Sequence, residues 1–69
     1  LKKIKIKVNG KMKIIVDKIT LFKLISDIKI PIQKVAIELN REIVDKKKLK
    51  KIILKNNDKI EIVHFIGGG

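Results

Sequence analysis

Apolar and basic residues alternate along the first part of the chain. Between positions 3 and 8 every second residue is Ile or Val and the others are lysines, a period of two that is typical of a half-buried β-strand. Asn9-Gly10 follows, and this pair favours a two-residue hairpin turn because both positions need a positive φ. The alternation then resumes, and the side chains predicted to face the core from the second strand are Met12, Ile14 and Val16. Residues 3–16 therefore predict a β-hairpin with Ile15 on its outward side.

The period changes to that of a helix after Thr20. The apolar stripe at helical spacing consists of Leu21, Leu24, Ile25 and Ile28. Thr20 is a suitable N-cap because its hydroxyl oxygen can accept a hydrogen bond from a first-turn N–H. Pro31 disfavours helical angles at the residue before it and so predicts the end of the segment. One amphipathic helix is therefore expected between Thr20 and Pro31.

Strand-like alternation returns after this helix. Residues 35–39 predict a third strand, and Asn40-Arg41 predicts a turn, although Arg fits left-handed angles less well than Gly. Ile43-Val44 is long enough only for an edge strand. Asp45 can cap a short helical turn that continues through Leu49 to position 53.

A last turn at positions 56–58 leads to a final strand over residues 59–65. Its alternation turns Ile60, Ile62 and His64 toward the core and Glu61, Val63 and Phe65 outward. His64 is the one histidine of the chain, and its register favours a half-buried structural role over catalysis.

The order of these elements predicts an α+β fold. One helix packed on one face of a mixed four- to five-stranded sheet, with a short second helix, is the economical arrangement for so small a core. This is the β-grasp, or ubiquitin-like, architecture, in which the first and last strands pair in parallel at the centre. Residues 1–66 are expected to form this single domain and residues 67–69 a flexible tail.

Charge is the most unusual feature of the composition. The 69 residues include 18 basic and seven acidic side chains, which gives a net charge of +11. Arg41 is the only arginine, whereas phosphate and base recognition favours the arginine fork. Two phenylalanines are too few for a single-strand stacking platform. Lysine and isoleucine are both overused, which indicates a compositional bias and favours a solvated lysine surface over a nucleic-acid site. A small basic RNA-binding module stays the alternative from a different class.

Side-chain chemistry is scarce. The chain has no cysteine, its carboxylates are scattered, and no local motif has the spacing of a metal site or a nucleophilic triad. No apolar run approaches the length of a membrane span. The sequence therefore predicts that the protein is not an enzyme, with no catalytic residue and no metal site of its own.

The reactive group that the sequence offers is at its end. Glycine has no Cβ, so Gly67-Gly68-Gly69 could thread a narrow active-site channel and present the Gly69 carboxylate there. Adenylation by ATP would give this carboxylate a leaving group, and a sulfur nucleophile could then displace AMP to leave a thiocarboxylate. Val63 and Phe65 precede the tail on the outward register that Ala36 shares, so these three predict a docking patch.

Three segments are similar to the thiamine-biosynthesis sulfur carrier proteins of the ThiS family. They are Val8-Asn9-Gly10, residues 35–44 apart from Arg41, and residues 60–69, so the resemblance spans essentially the whole chain. The departures are in turns. Arg41 stands where the family usually has Gly, Asp45 where Pro is common, and Asn56-Asn57-Asp58 replaces Asp-Gly-Asp.

The resemblance implies a sulfur relay. An E1-like adenylyltransferase of the ThiF type would adenylate Gly69 with ATP and magnesium, which the partner uses and this chain does not bind. A persulfide donor such as a cysteine desulfurase would supply sulfur, and a ThiG-type thiazole synthase would use it to build the thiazole of thiamine. The same tail is compatible with sulfur transfer for molybdopterin synthesis or tRNA thiolation, or with covalent protein modification. The expected location is the cytoplasm, with the plastid stroma as the alternative.

Overall fold

The predicted hairpin is present as strands β1 (Lys3–Val8) and β2 (Lys11–Val16) in the computed structural model, which describes residues 1–65. The two strands pair antiparallel, from Lys3 opposite Val16 to Val8 opposite Lys11. Asn9 and Gly10 have φ values of 50° and 80°, the positive angles that the two-residue turn requires.

The facing of β2 is the opposite of the prediction. Ile15 is the buried residue of this strand, with 8% of its surface exposed, whereas Met12 and Ile14 are 63% and 59% exposed. Directly opposed residues of antiparallel strands share a face, and a two-residue turn pairs even positions with odd ones. Ile15 therefore joins Ile4 on the core side. Met12, Ile14 and Val16 lie on the other side with the lysines of β1.

The helix α1 (Leu21–Asp27) begins as predicted, with Thr20 as its N-cap. The Thr20 Oγ1 atom accepts a hydrogen bond from the Lys23 N–H at 3.1 Å. Three residues of the predicted stripe are buried and the fourth, at position 28, is partly buried. The helix ends at Asp27, before it reaches Pro31. It ends there because Lys29 takes a left-handed φ of 59°, which a continuing helix cannot contain.

The segment after the helix supplies two further strands. A single 3₁₀ turn (Ile32–Lys34) that the sequence pattern did not predict leads into β3 (Val35–Leu39). The Asn40-Arg41 turn, with φ values of 51° and 72°, then connects β3 to the two-residue edge strand β4 (Glu42–Ile43).

The predicted short second helix is a 3₁₀ helix (Lys46–Lys51) capped by Asp45. The Asp45 carboxylate accepts a hydrogen bond from the Lys47 N–H at 2.9 Å. Leu49 is the residue that this helix buries, and it joins the core beside α1.

The last strand, β5 (Lys59–His64), completes a five-stranded sheet in the order β2-β1-β5-β3-β4. β5 runs parallel to β1 and antiparallel to β3, so the first and last strands meet at the centre and the predicted β-grasp fold is confirmed. One face of the sheet contributes to the core, and the opposite face is the outer face of the sheet. The buried apolar residues are Ile4, Ile6, Ile15, Leu21, Leu24, Ile25, Val35, Ile37, Leu49, Leu54, Ile60 and Ile62.

Candidate functional site

The strand that leads toward the glycine sequence is held from both sides. On one side β5 pairs with β3 over five residues, up to His64 opposite Val35. On the other side its parallel ladder with β1 contains only two residue pairs, which end at Val8 opposite Ile60. Asn9 extends this contact, because its Oδ1 accepts from the Ile62 N–H at 2.7 Å and its Nδ2 donates to the Ile62 carbonyl at 3.2 Å. The side-chain amide of Asn9 thus takes the place of a further backbone partner for β5.

The beginning of β5 is fixed in a similar way by Asn40. Its Oδ1 accepts from the Lys59 N–H at 2.9 Å, and its Nδ2 donates to the Asp58 carboxylate at 3.0 Å. The second carboxylate oxygen of Asp58 accepts from the Lys55 N–H at 2.8 Å. Two asparagines at positive-φ turn positions therefore bond to the first residue and to the middle of the central strand.

Two of the three residues predicted for the docking patch are direct neighbours. Val63 and Ala36 are opposed on β5 and β3 and share the outer face, where Val63 is 55% exposed and Ala36 is partly buried. Phe65 follows the end of β5 and is 61% exposed. Its N–H donates to the Lys34 carbonyl at 3.0 Å, so its backbone continues the contact of β5 with the β3 side.

The Phe65 ring has a neighbour that the sequence pattern did not indicate. The ammonium group of Lys46 lies 5.2 Å from the centroid of the ring, within the range of a cation–π interaction. The contact connects the 3₁₀ helix to the end of the chain that the structure describes. The predicted tail residues Gly67, Gly68 and Gly69 lie outside the described residues.

Ile43 is an exposed apolar residue that the sequence analysis missed. It is opposite Glu38 on the outer face, with 78% of its surface exposed. The sequence could have indicated this position. A two-residue turn pairs even positions with odd ones, so the Asn40-Arg41 turn places Ile43 opposite the outward-facing Glu38. Ile43 adds a third apolar side chain to the outer face near Ala36 and Val63.

The prediction for His64 is wrong in one respect. Its register matches that of the buried Val35 opposite, yet His64 is exposed and not half-buried. It is the last residue of β5, and the end of a strand can remain uncovered even where its register faces inward. Among residues 1–65 no group of three or more His, Asp and Glu side chains gathers as a metal site would require.

Lysines surround a depression in the surface near the hairpin. It has a volume of about 270 Å³, and the residues that line it are Lys5, Ile6, Lys7, Met12, Asn57 and Lys59. None of the predicted docking residues is among them. No helix within the described range is long and apolar enough to cross a membrane.

A mixed sheet with one helix and a central last strand defines the class, a small ubiquitin-like β-grasp domain. The model of the ThiS family matches residues 6–69, and the chain therefore belongs to the ThiS family. The crystal structure of the thiamine biosynthesis protein ThiS from Geobacter metallireducens matches with a TM-score of 0.84 at 28% identity. The match covers 96% of this chain and all of that one.

Two curated relatives add different information. The sulfur carrier protein ThiS of Bacillus subtilis is 49% identical over 35 residues, which are 51% of this chain and 53% of that protein. A thiazole synthase of Paramagnetospirillum magneticum is 37% identical over 65 residues, 94% of this chain. The chain spans only 20% of the length of that synthase.

Proposed function

We propose that this protein is a sulfur carrier for thiazole formation in thiamine biosynthesis, with the carboxylate of Gly69 as the group that carries sulfur. The observation that carries the proposal is the ThiS-family match, which extends through residue 69 and so includes the glycine sequence. The similarity to the sulfur carrier protein ThiS of B. subtilis supports the carrier role. Gly67 and Gly68 would occupy the narrow channel of a partner enzyme, because they add no side chain to the backbone.

The reaction would proceed by acyl activation. Attack of the Gly69 carboxylate on the α-phosphate of ATP gives an acyl adenylate and releases pyrophosphate, with magnesium and ATP held by an E1-like adenylyltransferase. The outer sulfur of a persulfide then attacks the acyl carbon and displaces AMP, which leaves an acyl disulfide. A thiol cleaves the S–S bond by exchange and releases the thiocarboxylate, while the donor sulfur and that thiol form a disulfide. The carrier supplies only its terminal carboxylate.

Thiazole synthase is the proposed acceptor of the sulfur. A segment of the P. magneticum thiazole synthase is similar to nearly the whole of this chain, which supports a partnership between the two functions. A ThiF-type adenylyltransferase and a persulfide donor such as a cysteine desulfurase complete the proposed set of partners. The proposed location is the cytoplasm, or the stroma where a plastid houses the pathway.

Val63, Ala36 and Phe65 are the proposed docking residues for the activating enzyme. Val63 is exposed beside its partly buried neighbour Ala36, and Phe65 places an exposed aromatic ring immediately before position 66. Aromatic residues contribute strongly at protein interfaces, because they bury a large rigid surface at little entropic cost. A partner that contacts this area is close to the start of the glycine sequence.

Intact mass spectrometry tests the carrier chemistry directly. The chain is incubated with ATP, magnesium, a ThiF-type adenylyltransferase and a persulfide donor, beside a chain that lacks Gly69. The expected result is a mass gain of one sulfur replacing one oxygen in the full chain and no gain in the shortened chain. Added thiazole synthase and its other substrates should then return the mass to the original value.

The rival functions predict different results. A carrier for molybdopterin synthesis or tRNA thiolation would gain sulfur but would not lose it to thiazole synthase. A protein modifier would form isopeptide conjugates. An RNA-binding module would bind RNA with an affinity that falls steeply with salt and does not depend on the glycines. A chain that gains no sulfur while a known carrier does would contradict the proposal.

A further inference from the structure

The outer face of the sheet divides into two regions of opposite charge. The basic half consists of Lys3, Lys5, Lys7, Met12, Ile14, Val16 and Lys59. The acidic half consists of Ala36, Glu38, Ile43, Glu61 and Val63. The boundary crosses β5 between Lys59 and Glu61, so the central strand contributes to both halves.

The two glutamates of the acidic half are directly opposed on β3 and β5. Opposed residues on one face have Cβ atoms about 5 Å apart, and like charges at this distance destabilise the pair. In the part of the chain that the structure describes, the one ion pair is that of Lys23 with Asp27 on the helix. The neighbouring carboxylates of Glu38 and Glu61 are therefore not neutralised internally, although the chain has 18 basic residues.

Apolar side chains flank this charged pair. Val63 lies two residues after Glu61 on the same strand face, and Ile43 is opposite Glu38 on the edge strand. Exposed apolar side chains beside uncompensated charges combine the two kinds of surface, apolar and polar, that protein interfaces contain. The basic half has a similar composition with the opposite sign, because Met12 and Ile14 are opposite Lys7 and Lys5.

We propose that the outer face is one docking surface for a protein partner that carries both signs of charge. That partner presents carboxylates to the basic half, arginine or lysine side chains to the acidic half, and apolar groups to Val63 and Ile43. A carrier turned by 180° on this partner would oppose like charges, which suppresses the wrong orientation. The charge pattern thus fixes the direction in which β5 runs across the partner. The inference rests on the proposed function, since the partner is the activating enzyme.

Binding experiments with charge-reversed pairs test the inference. E38K/E61K reverses the acidic half, and D27K/E42K makes the same change in net charge at two exposed positions outside the outer face. The dissociation constant is measured with purified ThiF-type adenylyltransferase by calorimetric titration, without ATP or a sulfur donor. We expect binding by E38K/E61K to weaken about tenfold or more and binding by D27K/E42K to change by about twofold at most, with the difference reduced in high salt.

The basic half has an equivalent test. K5E/K7E reverses two of its lysines, and K47E/K48E is the control on the exposed side of the 3₁₀ helix. We expect K5E/K7E to weaken binding more than its control does. If either variant of the outer face binds as its control does, the two-sign docking surface is overturned. A parent chain that shows no binding to the enzyme overturns it as well.

A neutral variant separates docking from a structural role. E38Q/E61Q removes the repulsion between neighbours, so we expect it to raise the melting temperature of the free carrier while it weakens binding. If these glutamates instead stabilised the fold, E38Q/E61Q would lower both the melting temperature and the affinity for the enzyme. Because binding is measured without the reaction, a parent chain that binds the enzyme but gains no sulfur would contradict the proposed function and leave the docking surface supported.

Discussion

Asn9 performs two tasks, and replacing it with glycine separates them. Glycine keeps the positive φ of 50° that the hairpin turn needs, so the turn itself is not strained by the change. The substitution removes the side-chain amide that bonds both the N–H and the carbonyl of Ile62. Asn9→Gly therefore tests the connection between the hairpin and the central strand.

The expected loss follows from these two hydrogen bonds. A typical intramolecular hydrogen bond contributes about 0.5–1.5 kcal/mol net, so Asn9→Gly should lower the free energy of unfolding by about 1–3 kcal/mol. For a domain of this size a loss of about 2 kcal/mol corresponds to a fall in melting temperature of roughly 8–16 °C. The turn geometry is retained, so the native fold should persist below the transition.

Urea unfolding followed by circular dichroism measures the global loss, and amide hydrogen exchange locates it. The Ile62 amide should exchange faster in Asn9→Gly under native conditions. Asn57→Gly is the matched control, because Asn57 also has a positive φ, of 72°, and its side chain has no hydrogen bond within residues 1–65. This control removes the same side chain from the same backbone region of φ.

Two results would refute the reasoning. One is a free energy of unfolding for Asn9→Gly that is no lower than that of Asn57→Gly. The other is a loss of stability without faster exchange at Ile62, which would place the effect in the hairpin turn and not in the contact with β5.

Three further substitutions have defined outcomes. Arg41→Gly should stabilise the protein by about 1 kcal/mol in urea unfolding, because Arg41 has a left-handed φ of 72°, and an unchanged or lower stability would contradict this strain. Phe65→Ala removes the exposed cation–π contact with Lys46 and should lower the free energy of unfolding by about 1 kcal/mol or less. The same substitution should raise the KM for adenylation. Adenylation equal to that of the parent would exclude Phe65 from docking. Ile25→Ala should destabilise by about 2–5 kcal/mol, because Ile25 is fully buried, and a smaller loss would mean that the core around α1 can collapse onto the cavity.

Local sequence patterns were sufficient for the strands, the main helix and the short second helix and for their order, and they missed only the single 3₁₀ turn at Ile32–Lys34. The Asn9-Gly10 turn, the Thr20 cap and the Asp45 cap each depend on contacts within a few residues, and all three are present. The prediction of a parallel pairing between the first and last strands followed from the order of elements, and β1 and β5 do pair in this way.

The errors concern facing and long-range contacts. Ile15 was assigned to the wrong side because alternation was continued through a turn that reverses parity, which the sequence itself could have corrected. His64 is exposed because it ends a strand, a property that register does not encode. The hydrogen bond between Asn9 and Ile62 joins positions 53 residues apart. The sequence pattern did not indicate it, because the hairpin turn alone explains an asparagine at position 9.

The central position of β5 has a mechanical consequence. Under the proposed function, a partner enzyme that binds the glycine sequence would load β5 along its strand axis. Hydrogen bonds to β3 on one side and to β1 and Asn9 on the other lie across the direction of pull, so they bear the load together and not in sequence. A force applied at the C-terminal end of β5 would have to break several hydrogen bonds at once. The carrier would therefore resist unfolding when a partner pulls on it.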